Sequence, residues 1–351
     1  MAITWNPGQH LWIGITGPEL APEERDLLKD LQPSGIVLFQ RNCISADQVI
    51  DLIQSIQSLL QRPAIIAIDE EGGRVERLKG ILPHRPPAST WPHHPEPFAE
   101  VVIETTRALQ ALGIHMNLTP VVDIARPDGW IALEDRCFGT DPDTVTDYAR
   151  RYIFLVQGLN GFTCMKHFPG LGAGHEDTHR SQTRIGIPFE ELWNVDLLPY
   201  RRLARHATAV MVAHAEYEAL MTDLPASLNP EAYRILRQRL RFGGLALTDD
   251  LHMDAIALRW SPSEAARMAI QAGADILLIG HDPFAADLVA EHLRLARAHH
   301  ALVAALERSR HRIERFFRIH VDQLNRSPSR SEFDRHRNRL MEALQRGGLN
   351  S

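Results

Sequence analysis

Lysine is nearly missing from this sequence. Of its 38 basic residues only Lys29, Lys79 and Lys166 are lysines, and the rest are arginine. Cysteine is also sparse: Cys43, Cys137 and Cys164 are odd in number and far apart, which fits a reducing cytoplasm better than a disulfide framework. No apolar run approaches the roughly 20 residues of a membrane span, so no membrane partner is expected. Met1 to His10 lacks a basic segment followed by an apolar one, so no secretory signal is expected and the location is read as cytoplasmic. The formal net charge of -6 gives no general affinity for nucleic acid. With 44% hydrophobic and 23% charged residues over 351 positions, the exclusions leave a soluble, enzyme-sized globular protein.

What is present is alternation. Apolar, β-branched runs occur at Leu11–Gly17, Gly35–Phe39, Ala64–Ile68, Met116–Ile124, Phe162–Met165, Ala209–Ala213, Leu245–Leu247 and Ile276–Ile279. Their continuous apolarity is that of strands buried on both faces of a parallel sheet. Segments with helical spacing lie between and after them: 22–31, 45–60, 100–112, 143–159, 189–204, 230–240, 263–272 and 283–296. Ser45-Ala46-Asp47-Gln48 and Ser261-Pro262-Ser263-Glu264 carry helix-start signals. Eight strand–helix units in a row predict a single (β/α)8 barrel. The alternative, an open doubly wound sheet, lacks its Gly-x-Gly-x-x-Gly after the first strand.

After about residue 308 the composition becomes Arg-rich, with Arg308-Ser309-Arg310-His311-Arg312 and Arg335-His336-Arg337-Asn338-Arg339 flanking Ser327-Pro328-Ser329. The expected division is a catalytic barrel over 1–307 and a basic helical extension over 308–351. No aromatic–basic interleaving marks the extension for nucleic acid, so it is read as a solvated helical appendage beside the barrel.

In (β/α)8 enzymes the chemistry gathers at the C-terminal strand ends. Polar residues fall there: Asp69 to Arg77 after the third strand, Asp123 with Glu134-Asp135-Arg136 at the fourth, Lys166-His167 at the fifth, His214 at the sixth and Asp249-Asp250 at the seventh. A rim salt bridge explains any one of them; five strands delivering charge to one rim point to a site. Lys166, retained in an arginine-using chain, is read as functional for its compact charge.

The stretch from Lys166 to His179 supports two chemistries. His175-Glu176-Asp177-Thr178-His179 matches His-Glu-x-x-His, a zinc signature that works only on a helix. Three glycines precede it and polar residues follow, so the match is read as accidental, with no metal or cofactor expected. The second reading fixes Asp249 as a nucleophile on a rigid strand end and pairs Asp177 with His179, two residues apart on a loop, as a proton-transfer dyad. A nucleophilic carboxylate with a reversible acid/base is the logic of a retaining glycosidase, here with histidine in the second role.

Lys166-His167-Phe168-Pro169-Gly170-Leu171-Gly172 followed by Asp177-Thr178-His179 resembles the signature of family 3 glycoside hydrolases of the β-N-acetylhexosaminidase type, the bacterial cell-wall-recycling β-N-acetylglucosaminidases above all. The likeness runs on through Asp69-Glu70-Glu71-Gly72-Gly73-Arg74-Val75-Glu76-Arg77, Met116 to Asp123, Glu134-Asp135-Arg136 and Thr248 to Met253. It implies that Asp249 is the nucleophile, His179 the acid/base and Asp177 its partner. It implies too that Asp69, Arg77, Arg136, Lys166 and His167 grip a terminal N-acetylglucosamine, with GlcNAc–1,6-anhydro-MurNAc muropeptides as substrates. Leu171 stands where the family commonly has histidine, and Glu70 where it has glutamine. The rival expectations are a zinc hydrolase using His175 and His179, a non-catalytic sugar-binding barrel, and transfer to phosphate instead of water.

Overall fold

The computed structural model describes residues 6–133, 135–175, 183–295 and 300–349. Eight parallel strands close a barrel: β1 (Leu11–Ile13), β2 (Gly35–Leu38), β3 (Ile65–Ile68), β4 (Met116–Asn117), β5 (Phe162–Phe168), β6 (Ala209–Val212), β7 (Leu245–Asp250) and β8 (Ile276–Ile279). Each pairs with its sequence neighbour, and β8 returns to β1 with Leu11 opposite Leu277. This is the (β/α)8 architecture expected.

The strands read as unbroken apolar runs because the sheet separates two cores. One side chain of each pair points inward, giving Trp12, Val37, Ile65, Ala67, Met116, Phe162, Cys164, Ala209, Met211, Leu245, Leu247, Ile276 and Leu278. Their neighbours Ile13, Ile36, Ile66, Val210, Ala246 and Leu277 point outward against the helices. The period of two is the pleat itself.

Boundaries differ where backbone pairing and composition part company. The fourth run forms a regular strand only over Met116–Asn117: Thr119 N turns back to Asn117 O at 2.8 Å, Pro120 with no N–H follows, and the chain meets β5 again where Val122 N donates to Lys166 O at 2.8 Å. The strands β5 and β7 run on past their apolar residues, so Lys166, His167, Asp249 and Asp250 lie within strands and not in the loops after them. Among the helices, 22–31 is found as expected, and Ala46–Leu59 starts where Ser45 Oγ accepts the Gln48 N–H at 3.2 Å. Pro262–Ala272 opens on a reciprocal cap: Glu264 N donates to Ser261 Oγ and Ser261 N to Glu264 Oε2. Such caps contribute about 1 kcal/mol.

The Arg-rich segment forms helices His300–Ile319, Val321–Leu324 and Arg330–Arg346. Apolar residues between its arginines are buried. Ile313, Phe316 and Leu324 belong to the barrel-interior cluster, and Phe316 meets Phe162, the first residue of β5, at 5.2 Å between ring centroids. They therefore cap the N-terminal end of the barrel. Arg312 Nε donates to buried Asp275 at 2.7 Å, and Arg237 pairs with the other oxygen. Phe333, Leu340, Ala343 and Leu344 of the last helix are buried in the main core.

Candidate active site

The column of inward-facing residues that fills the barrel also builds its mouth. Continuing Ile65 and Ala67 by two gives Asp69; Phe162 and Cys164 give Lys166; Leu245 and Leu247 give Asp249; Val37 gives Phe39. All four line one pocket at the C-terminal end of the strands, about 790 Å³ including the space open to solvent, together with Glu71, Arg77, Trp130, Arg136, His167, Asp250, Met253 and His281. The pocket thus collects six of the eight site residues expected from sequence: Asp69, Arg77, Arg136, Lys166, His167 and Asp249. Asp177 and His179 lie outside the described residues.

One wall is a charge cluster around Glu71, a residue outside the set expected from sequence. Arg136 donates to it in a fork, Nε to Oε2 and Nη2 to Oε1, both at 2.9 Å. Lys166 Nζ lies 2.6 Å from Glu71 Oε1 and 2.6 Å from Asp69 Oδ1. Arg77 approaches Asp69 at 3.9 Å. Burial alone would raise the Glu71 carboxyl, but the Arg136 guanidinium and the Lys166 ammonium hold it well below the usual carboxylate range. Burial would likewise lower the Lys166 ammonium, yet Asp69 and Glu71 raise it above its ordinary value. The lysine is therefore a fixed cation. Its side chain is only 2% exposed.

Alternation carries a signal for Glu71: it is two residues from Asp69 and so shares its face. Glu70 turns the other way. Its Oε2 accepts the Arg77 and Leu78 N–H groups at 2.6 and 3.0 Å, and Oε1 pairs with buried Arg85, which also meets Glu76 at 2.9 Å. A carboxylate at position 70 is explained by that pairing, which anchors the segment carrying Arg77.

His167 is set from behind. Asp123 is fully buried and accepts from His167 Nδ1 at 2.8 Å and from Leu171 N at 2.7 Å. A carboxylate only accepts, so Nδ1 carries the proton and Nε2 faces Arg136 Nη2, 3.5 Å away. Asp123 and His214, expected as rim charges, are supports. His214 Nε2 donates to the Asp250 carbonyl at 3.0 Å while Nδ1 meets Ser227 Oγ at 2.7 Å, and burial lowers its pKa.

Opposite the charge cluster, Asp250 N donates to Asp249 Oδ1 at 2.9 Å. The Asp250 side chain is a hub of its own: Oδ1 accepts Gly280 N at 3.2 Å and His252 N at 3.1 Å, and Oδ2 accepts His281 Nδ1 at 2.6 Å. Burial opposes its ionisation, but these donors hold its carboxyl well below the ordinary range.

The loop that leads toward the expected dyad has a fixed base. Gly170 sits at φ +136, where a Cβ would come within 2.6 Å of Asp196 Cβ. Arg126 binds buried Asp196 at 2.8 Å and Glu191 at 2.7 Å, and Trp130 N donates to Gly174 O at 2.8 Å. Burial pushes the Asp196 carboxyl up to about 6 despite Arg126. His175 is not helical, and its Nδ1 donates to the Asp128 carbonyl at 3.0 Å. Among the described residues no group of three or more His, Cys, Asp or Glu could hold a metal ion, and no helix is long and apolar enough to cross a membrane.

Comparison with known proteins fits this geometry. The model of the glycosyl hydrolase family 3 N-terminal domain matches residues 9–316. A β-hexosaminidase of Xanthomonas oryzae pv. oryzae is 32% identical over 305 residues, covering 84% of this chain and 90% of that one. The M. tuberculosis protein LpqI superposes with a TM-score of 0.80 at 30% identity, covering 90% of this chain and 94% of that one. A fungal multi-domain GH3 β-N-acetylglucosaminidase superposes with a TM-score of 0.89 at 28% identity; 97% of this chain is covered, but it spans only 42% of the fungal protein. A strand-end pocket of charged side chains on a barrel of this sequence type makes the chain a member of glycosyl hydrolase family 3, of the β-N-acetylhexosaminidase kind, and hence a glycoside hydrolase.

Proposed function

We propose that the protein is a retaining exo-β-N-acetylglucosaminidase that removes terminal GlcNAc from peptidoglycan-derived muropeptides such as GlcNAc–1,6-anhydro-MurNAc in the cytoplasm, without a metal or organic cofactor. The observation that carries this reading is the facing of Asp249, rigid on β7, and the Asp69–Lys166–Glu71–Arg136 cluster across one pocket. Asp69, Arg77, Arg136, Lys166 and His167 hold the sugar, aspartate accepting from hydroxyls and the cations donating to hydroxyl and carbonyl oxygens. The Asp249 carboxylate attacks the anomeric carbon as the bond to the leaving oxygen breaks, and His179, oriented by Asp177, gives that oxygen its proton. Water then attacks the glycosyl-aspartate, returns a proton to His179 and frees Asp249.

The test is release of a chromogenic aglycone from a β-GlcNAc glycoside with chelator present. Asp249→Ala should abolish turnover, and His179→Ala should reduce it about 10²- to 10⁴-fold. Wild-type turnover by Asp249→Ala would exclude the mechanism, and loss of wild-type activity to the chelator would restore the zinc reading. GlcNAc affinity without turnover would indicate a binding barrel, and GlcNAc-1-phosphate formed in phosphate buffer would indicate phosphorolysis.

A further inference from the structure

The two ends of the pocket differ in exposure. At the charge cluster the side chains of Lys166, Glu71 and Arg136 are 2%, 7% and 8% exposed, whereas the His281 side chain is 62% exposed. A glycosidase that works from the chain end holds the terminal sugar at the closed end and lets the aglycone leave at the open one. His281 stands at that open end, at the start of the loop after β8, and lines the same pocket as Asp249.

Its orientation is fixed. Asp250, immediately after Asp249, accepts from His281 Nδ1 at 2.6 Å, so that nitrogen carries a proton and Nε2 is left without a protein partner among the described residues. The packing around the pair admits no side chain at 280. A Cβ on Gly280 would come within 2.6 Å of the Phe39 ring and 2.7 Å of Asp250 Oδ2. Phe39 in turn lies 5.8 Å from the His281 ring and carries the Arg41 guanidinium over its face at 4.5 Å. Arg41 donates to two backbone carbonyls, Ile15 O and Gly280 O, and no described carboxylate pairs with it. The charged and titratable groups around this end include Asp249 and Asp250 on β7, His252 just after it at 3.5 Å from Asp250 Oδ1, Arg41 after β2 with Glu24 near it, and Arg77 across the pocket. When doubly protonated, the His281 ring keeps Nδ1–H on Asp250 and presents Nε2–H as a donor at the mouth, beside the Arg41 guanidinium, which Asp250 and Glu24 attract. The Asp250 hydrogen bond also raises the His281 pKa, which favours the doubly protonated ring.

We propose that His281, held by Asp250, is a specificity-determining residue that binds the leaving group and selects aglycones bearing a carboxylate close to the scissile oxygen. Its Nε2–H donates to that carboxylate, and Arg41 supplies longer-range attraction. The proposal rests on the exo-glycosidase reading above.

The experiment compares two β-GlcNAc glycosides, one with a 3-carboxy-4-nitrophenyl aglycone and one with its methyl ester, using wild type, His281→Gln and Arg41→Gln. Wild type should show the higher kcat/KM on the free acid. His281→Gln should lower kcat/KM for the acid about fivefold more than for the ester, the size of a partly exposed charge-assisted contact. Arg41→Gln should reduce the same ratio by less, and 0.5 M salt should shrink the wild-type preference. An equal effect of His281→Gln on both substrates, or no wild-type preference, overturns the proposal. If wild type turns over neither glycoside, the exo-glycosidase reading fails and this inference falls with it; turnover of the ester alone refutes the inference while that reading stands.

Discussion

Glu71 is the residue on which the pocket's geometry most depends. It is buried, and its two oxygens bind Arg136 at 2.9 Å twice and Lys166 at 2.6 Å. Glu71→Gln keeps the volume but removes the charge and turns an NH2 group toward a cation. Lys166 keeps Asp69, while Arg136 loses a two-point carboxylate. Breaking a buried pair from one side costs about 3–5 kcal/mol, because the remaining charge stays desolvated. The retained amide oxygen and Asp69 place the expected loss near the lower figure, about 3 kcal/mol. Activity should fall further than stability implies. A displacement of about 1 Å in groups that orient the sugar costs about 10²-fold in rate, so kcat/KM on a chromogenic β-GlcNAc substrate should drop by about that factor. Glu71→Asp, which keeps the charge but shortens the reach, should fall between the two. The folded pKa of Glu71 is depressed, so its stabilisation is full above the ordinary carboxylate range and is lost only as pH falls through the lower folded value. The stability deficit of Glu71→Gln should therefore be flat between pH 6 and 8. A Glu71→Gln protein with wild-type melting temperature and kcat/KM within twofold of wild type would refute this account.

Two further outcomes concern the base of the barrel. His10 is fully buried, with Nδ1 against Ser309 Oγ at 3.0 Å and Asp275 O at 3.1 Å, and burial lowers its pKa from 6.5 to about 4. A depressed folded pKa means stability is full above 6.5 and is lost as pH falls toward 4, by up to about 3 kcal/mol for this group. Urea unfolding at pH 7 and pH 4.5 should therefore show a smaller pH-dependent loss for His10→Gln than for wild type; equal losses would contradict the assignment. Phe316→Ala should cost about 3–5 kcal/mol, since it empties the cap beneath Phe162. A change under 1 kcal/mol in denaturant unfolding would show that the Arg-rich helix does not close the barrel.

The sequence by itself determined the architecture and the direction of the chemistry. Unbroken apolar runs alternating with helical spacing require a sheet covered on both faces, and polar residues at five strand ends point to its C-terminal rim. Period-two alternation places Asp69, Lys166 and Asp249 on the inward column, and that rule extends to Glu71. Tertiary structure alone decided who meets whom. Glu71 and Arg136 are 65 residues apart, Asp69 and Lys166 are 97 apart, and Asp250 and His281 are 31 apart, so no local pattern announces the pairs. Asp123 and His214 carry the residue types of a rim charge, yet burial beneath neighbouring strands makes them supports. Composition showed the C-terminal segment as helical but hid its burial: its arginines advertise solvent, while Ile313, Phe316 and Leu324 between them complete the barrel core. Periodicity is a property of the backbone and can be read along the chain. Pairing and burial depend on which distant segments the closed barrel brings within a few ångströms, and only the fold sets those distances.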